Sequence, residues 1–105
     1  LVEVLPDDRF LMKLEGERVI ELFGVNNSGR IIEEGAGEAD YGHALAEYYR
    51  SIVDERTCRR CIGNLERIDD RRWLSFESID CPLSRDGTQV DYIVGVAVSV
   101  REGQL

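Results

Sequence analysis

The sequence ELFGVNNSGR at residues 21–30 joins a helical pattern to a turn, and this junction decides the fold. A helix over Glu17–Phe23 is predicted because its apolar residues recur at helical spacing. Gly24 is placed to end that helix as a left-handed cap. Asn26–Gly29 has turn chemistry and can also cap a short helix at Arg30–Glu34. The segment therefore predicts a helix, a turn and a second short helix.

Two short strands precede this segment. Leu1–Leu5 alternates weakly and stops at Pro6-Asp7-Asp8, where proline presets φ and aspartate caps its own backbone. In Arg9–Leu14 the apolar residues lie two apart, as one buried face of a strand requires. The two runs together predict a β-hairpin.

A long amphipathic helix follows. We predict that Asp40 caps its N-terminus and that it runs to about Asp54. Residues at helical spacing give it one apolar face, made of Tyr41, Leu45, Tyr48, Tyr49 and Ile52. The opposite face is charged, so the helix is expected to lie with one side on the core.

Three extended runs complete the chain: Arg56–Ile68, Arg71–Pro82 and Thr88–Arg101. Turns at Asp69-Asp70 and at Ser84–Gly87 give hairpin-length connections between them. Both parities of the second run carry polar groups, which leaves open the face that points inward. Both parities of the last run are apolar or small, which predicts a central strand buried on both faces. Strands segregated from helices predict an α+β fold, with an antiparallel sheet covered on one side.

Length and charge limit the classes of function. With 105 residues and 43% hydrophobic residues, the chain suits one domain over 1–105, which we expect to be excerpted from a longer protein. Its net charge of -8 argues against nucleic acid and anionic membranes as partners, since both attract clustered cations. Residues 1–55 hold 13 acids and 5 bases, whereas residues 56–105 hold 8 of each. The acidity is therefore concentrated in the first half.

Several short motifs occur in a recognisable order. After the strand around Phe10–Leu14 come Phe23-Gly24, four spacer residues and Gly29-Arg30. The later motifs are Arg72-Trp73, Phe76-Glu77, Pro82-Leu83-Ser84-x-Asp86-Gly87 and Val90-Asp91-x-Ile93-Val94-Gly95. In this order they resemble the PAS domain family, and most closely the PAS-like group of α-proteobacterial proteins. The resemblance covers nearly the whole chain and implies five antiparallel strands, with helices across one face enclosing a core or small pocket.

The resemblance implies a bacterial sensory or signalling module rather than an enzyme. Such a module binds a small ligand or mediates dimerisation, so the expected partner is a second copy or an effector domain of the same protein. Candidate pocket residues between helix and sheet are Met12, Phe23, Tyr48, Tyr49, Trp73 and Glu77. Such side chains more often simply fill a core, and a buried Glu77 would need a partner or a ligand.

No cofactor or metal is predicted. His43 is the only histidine, and helical geometry places it on the charged face, which disfavours haem ligation. Flavin photochemistry in PAS-type light sensors needs a thiol, and Asn26–Arg30 contains none. Cys58 and Cys61 have the spacing of half a zinc site, but a second pair of ligands is missing.

The cysteines are interpreted first as small packing residues. A redox pairing of Cys58 or Cys61 with Cys81 is the alternative. An odd number of cysteines in a chain without disulfide-scaffold density predicts a reducing cytoplasm. No run approaches the roughly 20 apolar residues of a membrane span.

A second class of function is a small cone-shaped α+β enzyme or carrier, similar to ketosteroid isomerase. Glu77 or Asp80 would then act as a base in an apolar pocket. That fold implies a long N-terminal helix under a curved sheet, whereas this chain opens with a strand hairpin. No nucleophile–histidine motif and no phosphate-binding glycine loop is recognisable, so no catalytic residues are assigned.

Overall fold

The computed structural model describes residues 1–32, 39–66 and 73–100. Five strands form one antiparallel sheet in the order β2-β1-β5-β4-β3, and two helices accompany it. The elements are β1 (Val2–Val4), β2 (Phe10–Met12), α1 (Glu17–Phe23), α2 (Ala39–Glu55), β3 (Arg59–Glu66), β4 (Trp73–Leu83) and β5 (Tyr92–Ser99). The predicted α+β class with an antiparallel sheet is confirmed.

The N-terminal hairpin joins the sheet through the last strand of the chain. Val2 is paired with Met12 of β2 on one side and with Ile93 of β5 on the other. β5 also pairs along its length with β4, from Tyr92 opposite Leu83 onward. The prediction that the last strand is central in the sheet is therefore confirmed.

The predicted short helix at Arg30–Glu34 is wrong in its described part. The amide of Met12 donates to the Arg30 carbonyl at 2.9 Å, and the amide of Ile32 donates to the Phe10 carbonyl at 2.9 Å. Ile31 forms an isolated antiparallel bridge with Leu11. Residues 30–32 therefore form backbone hydrogen bonds with the free edge of β2 instead of a helical turn, and they cover that edge.

Helix α1 has the predicted bounds. Gly24 ends it in the left-handed conformation, with φ 79°, and its amide donates to the Ile20 carbonyl. A residue with a Cβ would be strained in that conformation, so the glycine fixes the end of the helix.

Helix α2 lies on the inner face of the sheet. Ile52 of α2 and Ile93 of β5 have the largest fully buried side chains, with 0% and 1% exposed. The helix begins at Ala39, so Asp40 is its second residue and not the predicted cap. The buried cluster between helix and sheet consists of Val2, Phe10, Met12, Ala46, Tyr49, Ile52 and Ile93.

The other face of the sheet is not covered by the described helices. The prediction that β5 is buried on both faces is wrong, because Val96 is 67% exposed. We call the exposed apolar surface of β3, β4 and β5 the outer sheet face; its residues are Ile62, Ile79, Leu83, Val94, Val96 and Val98. The opposite parity of β5 includes Ile93, which belongs to the buried cluster with Ile52 of α2.

Strand β5 also begins later than predicted. The carboxylate of Asp86 accepts the amides of Thr88 and Gln89 at 2.8 and 3.0 Å. These hydrogen bonds hold the two residues in the loop after β4, so they are not part of the strand. The interaction also keeps the pKa of Asp86 well below its ordinary value, with the hydrogen bond to the Thr88 amide as the largest cause.

Candidate functional site

A buried carboxylate lies between α2 and the sheet. Asp80 of β4 is 7% exposed, and its Oδ2 accepts hydrogen bonds from two hydroxyls. The Tyr48 hydroxyl on α2 donates to it at 2.7 Å, and the Ser78 hydroxyl on β4 donates at 3.0 Å. We call Tyr48, Ser78 and Asp80 the Asp80 cluster.

Strand alternation positions this cluster. Ser78 and Asp80 are two apart on β4 and therefore share a face, which is the inner one. Asp80 is paired with Gly95 of β5, where a Cβ would overlap the Asp80 Oδ1. The glycine thus provides the room in which the carboxylate lies against the neighbouring strand. The inward parity of β4, which the sequence left open, is settled by these contacts.

Burial and the Asp80 carboxylate raise the pKa values of two groups at this site, Tyr48 and Cys61. Burial raises the pKa of Tyr48 above its ordinary value, and the hydrogen bond to Asp80 raises it further. Tyr48 therefore stays protonated and remains a donor at physiological pH. Burial also raises the pKa of the Cys61 thiol, and the charge of Asp80 adds to the effect.

Chemically, the cluster is a hydrogen-bonded bridge between helix and sheet. Asp80 Oδ2 already accepts from Tyr48 and Ser78, so both hydroxyls satisfy the same oxygen. A buried carboxylate that lost a donor would be left with a poorly solvated charge, which costs free energy. The arrangement therefore ties the position of α2 to that of β4.

We expect Tyr48→Phe to lower the free energy of unfolding by about 1–2 kcal/mol, because it removes one donor to a buried carboxylate. Urea denaturation measures this change. The matched control is Tyr92→Phe, which removes a hydroxyl that accepts from Arg85 at the exposed surface. Its expected cost is within about 0.5 kcal/mol. Equal costs for the two variants would contradict the role assigned to Asp80.

The structure separates the predicted pocket residues into different environments. Met12 and Tyr49 belong to the buried core, whereas Tyr48 reaches the Asp80 cluster. Phe23 of α1 meets the ring of Phe76 edge-on, with ring centroids 5.3 Å apart. These side chains lie on the inner side of the sheet, and they pack against each other and against the strands. The side chain of Trp73 lies outside the described part of the structure.

Glu77 does not join the other predicted pocket residues. It lies on the opposite parity of β4 from Asp80, and its carboxylate pairs with Arg60 Nε at 2.6 Å. Of the two carboxylates considered for an isomerase-like pocket, only Asp80 therefore lies between helix and sheet. Ser78 was not identified from the sequence, since nothing in its neighbourhood marks it as inward-facing.

A shallow cleft of about 250 Å³ lies at a different place in the fold. It is lined by residues of the β1–β2 turn, the end of α2 and the loop before β5, among them Asp8, Val53, Arg56 and Gln89. None of the residues of the Asp80 cluster lines it. The cleft and the buried carboxylate are therefore two separate features.

Comparison with protein-family models, curated proteins and solved structures finds no match to this chain. The resemblance to PAS domains therefore stays a prediction from motifs. The α+β fold and the geometry of the described residues carry the functional inference.

Two of the three cysteines have a different role from the one expected. Cys58 and Cys81 are joined by a disulfide, so their interpretation as small packing residues is wrong. The pairing of Cys58 with Cys81 is confirmed, and its redox role stays a prediction. Cys61 is free and half-buried. The cytoplasmic location stays a prediction.

His43 lies on the exposed side of α2, as predicted. Its Nε2 is 3.1 Å from a carboxylate oxygen of Glu47, one turn further along the helix. Among the described residues, no group of three or more histidine, cysteine and acidic side chains is arranged to hold a metal ion. Neither described helix is both long and apolar enough to cross a membrane. The haem, flavin and metal predictions are not tested by these findings.

Proposed function

We propose that this chain is a PAS-type sensory or signalling module that acts by protein–protein association, and that its outer sheet face binds a second copy of the chain. The proposal rests on the motifs described above, together with five antiparallel strands and helices on one face. The observation that carries it is the row of exposed apolar side chains on the central strand. Val94, Val96 and Val98 are 39%, 67% and 53% exposed.

The strand register makes the exposed apolar side chains contiguous across β4 and β5, and the Arg60–Glu77 ion pair separates them from Ile62 of β3. Val96 of β5 lies opposite Ile79 of β4, so two exposed β-branched side chains are adjacent. Glu77 lies between Val98 on one side and Ile62 on the other. Contiguous exposed apolar surface is uncommon on monomeric soluble proteins and typically marks an interaction surface.

The charges on the sheet are compatible with a second copy as the occupant. The chain carries a net charge of -8, which opposes close approach of two copies over most of their surface. On the sheet, however, charges are paired: Arg60 with Glu77, and Lys13 with Glu3 at 4.0 Å. Two outer sheet faces can therefore meet without a net like-charge repulsion. Packing of sheet on sheet across a two-fold axis is a common way to bury such faces.

Packing of the inner side favours association over ligand binding as the main activity. In the described part of the core, Ile52, Ile93 and Ala46 are at most 1% exposed. These side chains fill the space between α2 and the sheet that a ligand would otherwise occupy. Among the described residues, the apolar surface that no helix covers is the outer sheet face.

We expect the wild-type chain to dimerise and Val96→Glu to weaken the dimer by about a hundredfold. Loss of Val96 burial costs about 1.5 kcal/mol per copy, and about 3 kcal/mol for two copies corresponds to that factor. Sedimentation equilibrium over a concentration series measures the dissociation constant. The control is Leu14→Glu, which places the same charge at a 61% exposed position beyond β2.

The control variant should dimerise as the wild type does. Circular dichroism verifies that both variants remain folded. A wild-type chain that stays monomeric over the whole concentration range would overturn the homodimer and point to an effector domain as the partner. Equal weakening by both substitutions would place the contact away from the outer sheet face.

A further inference from the structure

A disulfide closes the open end of the β3–β4 hairpin. Arg59 is paired with Asp80, so the next residues outward, Cys58 and Cys81, lie directly opposite each other. Their Cα atoms are 4.1 Å apart, a close approach of the kind found at non-hydrogen-bonded pairs of antiparallel strands. β3 is the last strand of the sheet order, so the disulfide fastens an edge strand.

Cys58 and Cys81 differ in their exposure to solvent. Cys58 is exposed, whereas Cys81 is half-buried beside Val94 of β5. A thiolate approaching from solvent therefore meets Cys58 first. Exchange between thiols and disulfides depends on this access and on which sulfur is attacked.

The charges around the two cysteines also differ. Cys58 is within two residues of three exposed arginines, Arg56, Arg59 and Arg60. Cys81 instead follows the buried acid Asp80. Arg60 is paired with Glu77, so Arg56 and Arg59 are the charges that can attract an anionic thiol towards Cys58.

The third cysteine is kept out of the exchange by geometry. Cys58 lies just before β3 and is bonded to Cys81, which lies beside Val94 of the outer sheet face, whereas Cys61 within β3 has the opposite parity. Its cross-strand partner is Ser78, on the inner face. Cys61 can therefore neither replace Cys81 in the disulfide nor displace a thiol attached to Cys58 without unfolding of the strand.

We propose that Cys58 and Cys81 form a thiol–disulfide exchange site for anionic small thiols of the glutathione class, entered at Cys58. In the reducing direction, a glutathione thiolate attacks the Cys58 sulfur, the bond to Cys81 breaks, and Cys81 leaves as a thiolate that takes up a proton. A second glutathione thiolate attacks the mixed disulfide and releases Cys58. The products are two protein thiols and one glutathione disulfide, and the reverse sequence re-forms the bond.

The structural consequence is local. Reduction frees Cys58, just before β3, from Cys81 of β4, while the pairing from Arg59 to Glu66 remains available. Disulfides in reducing compartments are typically transient or redox-sensing, so exchange at this site is compatible with the predicted location. Cys81 lies beside Val94 of the outer sheet face, so the Val96→Glu substitution allows the exchange to be tested without dimerisation.

The test is an equilibrium titration of the Cys61→Ser chain in glutathione buffers, followed by acid quenching, alkylation and mass spectrometry. We expect half of the pairs to be reduced at or before about a hundredfold excess of reduced over oxidised glutathione, at about 10 mM reduced glutathione, with the circular dichroism of the folded chain retained. Hydrogen exchange should be accelerated more strongly around residues 57–62 than in β1 and β5. A disulfide that persists at that ratio, or is reduced only with loss of the fold, overturns the proposal in favour of a purely structural bond.

Two matched variants test the point of entry. Cys61→Ser/Cys81→Ser leaves Cys58 as the single thiol, and Cys58→Ser/Cys61→Ser leaves Cys81. We expect oxidised glutathione to modify Cys58 at least about tenfold faster than Cys81. Equal rates in folded variants would overturn entry at Cys58. If either variant does not fold, the titration of the Cys61→Ser chain still decides whether the pair exchanges.

Discussion

Reduction of the Cys58–Cys81 disulfide is expected to lower the free energy of unfolding by about 3 kcal/mol. The two cysteines are 23 residues apart in sequence, so the bond removes much of the freedom of that loop in the unfolded chain. For a domain of this size, a loss of this magnitude corresponds to a fall in Tm of about 10 °C or more. Because the disulfide stabilises the folded state, folding in turn stabilises the disulfide relative to the two free thiols.

Thermal and urea denaturation with and without a reducing agent measure this loss. The double variant Cys58→Ser/Cys81→Ser should show the same lower stability under both conditions. Cys61→Ser is the control, since Cys61 is free and its substitution leaves the disulfide in place. If the reducing agent lowers the stability of the double variant as well, the effect does not come from this bond.

Ile52→Ala is expected to lower the free energy of unfolding by about 2–5 kcal/mol. Ile52 is 0% exposed and packs α2 onto the inner face of the sheet, in the same cluster as Ile93 and Tyr49. Removing three carbons there loses the burial of the side chain and leaves a cavity that the surrounding strands cannot fully close. A chain with typical marginal stability would then be close to unfolding.

Urea denaturation again gives the measurement, and Leu14→Ala is the control. Leu14 loses the same number of carbons from a position that is 61% exposed, so its expected cost is below about 0.5 kcal/mol. If Ile52→Ala unfolds the chain completely, Ile52→Val provides a smaller step, with an expected loss of about 1 kcal/mol. Similar costs for Ile52→Ala and Leu14→Ala would contradict the placement of α2 on the sheet.

The elements with strong local signals were predictable from the sequence. Helix α1 has the bounds that its apolar spacing and Gly24 predict, because a left-handed glycine cap is determined by local sterics. The two hairpin strands before it follow the predicted alternation. The segment after Gly29 was misassigned, since its pairing with β2 depends on a strand distant in sequence and not on its own turn chemistry.

The disulfide could have been found by counting along the hairpin. Cys58 lies eleven residues before Asp69, and Cys81 lies eleven residues after Asp70. A two-residue turn at Asp69-Asp70 places residues at equal distances opposite each other, which fixes the register. The described register of β3 and β4 agrees with that count, although the turn itself lies outside the described residues.

The functional surfaces were harder to predict because they depend on which face the helices cover. Alternation in β5 shows that two faces exist, but both are apolar or small, so Val96 could not be distinguished from Ile93. The polarity of β4 was equally ambiguous for Glu77 and Asp80. Only the contact between Asp80 and Tyr48 of α2 decides the inward face.

Because β5 lies between the N-terminal hairpin and β4, the sheet cannot be completed until β5 has been synthesised. The N-terminal hairpin leaves the ribosome before β5, and Val2 of the hairpin pairs with Ile93 of that strand. Pairings between distant segments form late, because the long loop between them must close first. Until then, the hairpin has a strand edge without its neighbour, and such edges promote aggregation. The nascent hairpin is therefore the part of the chain that depends longest on protection by chaperones.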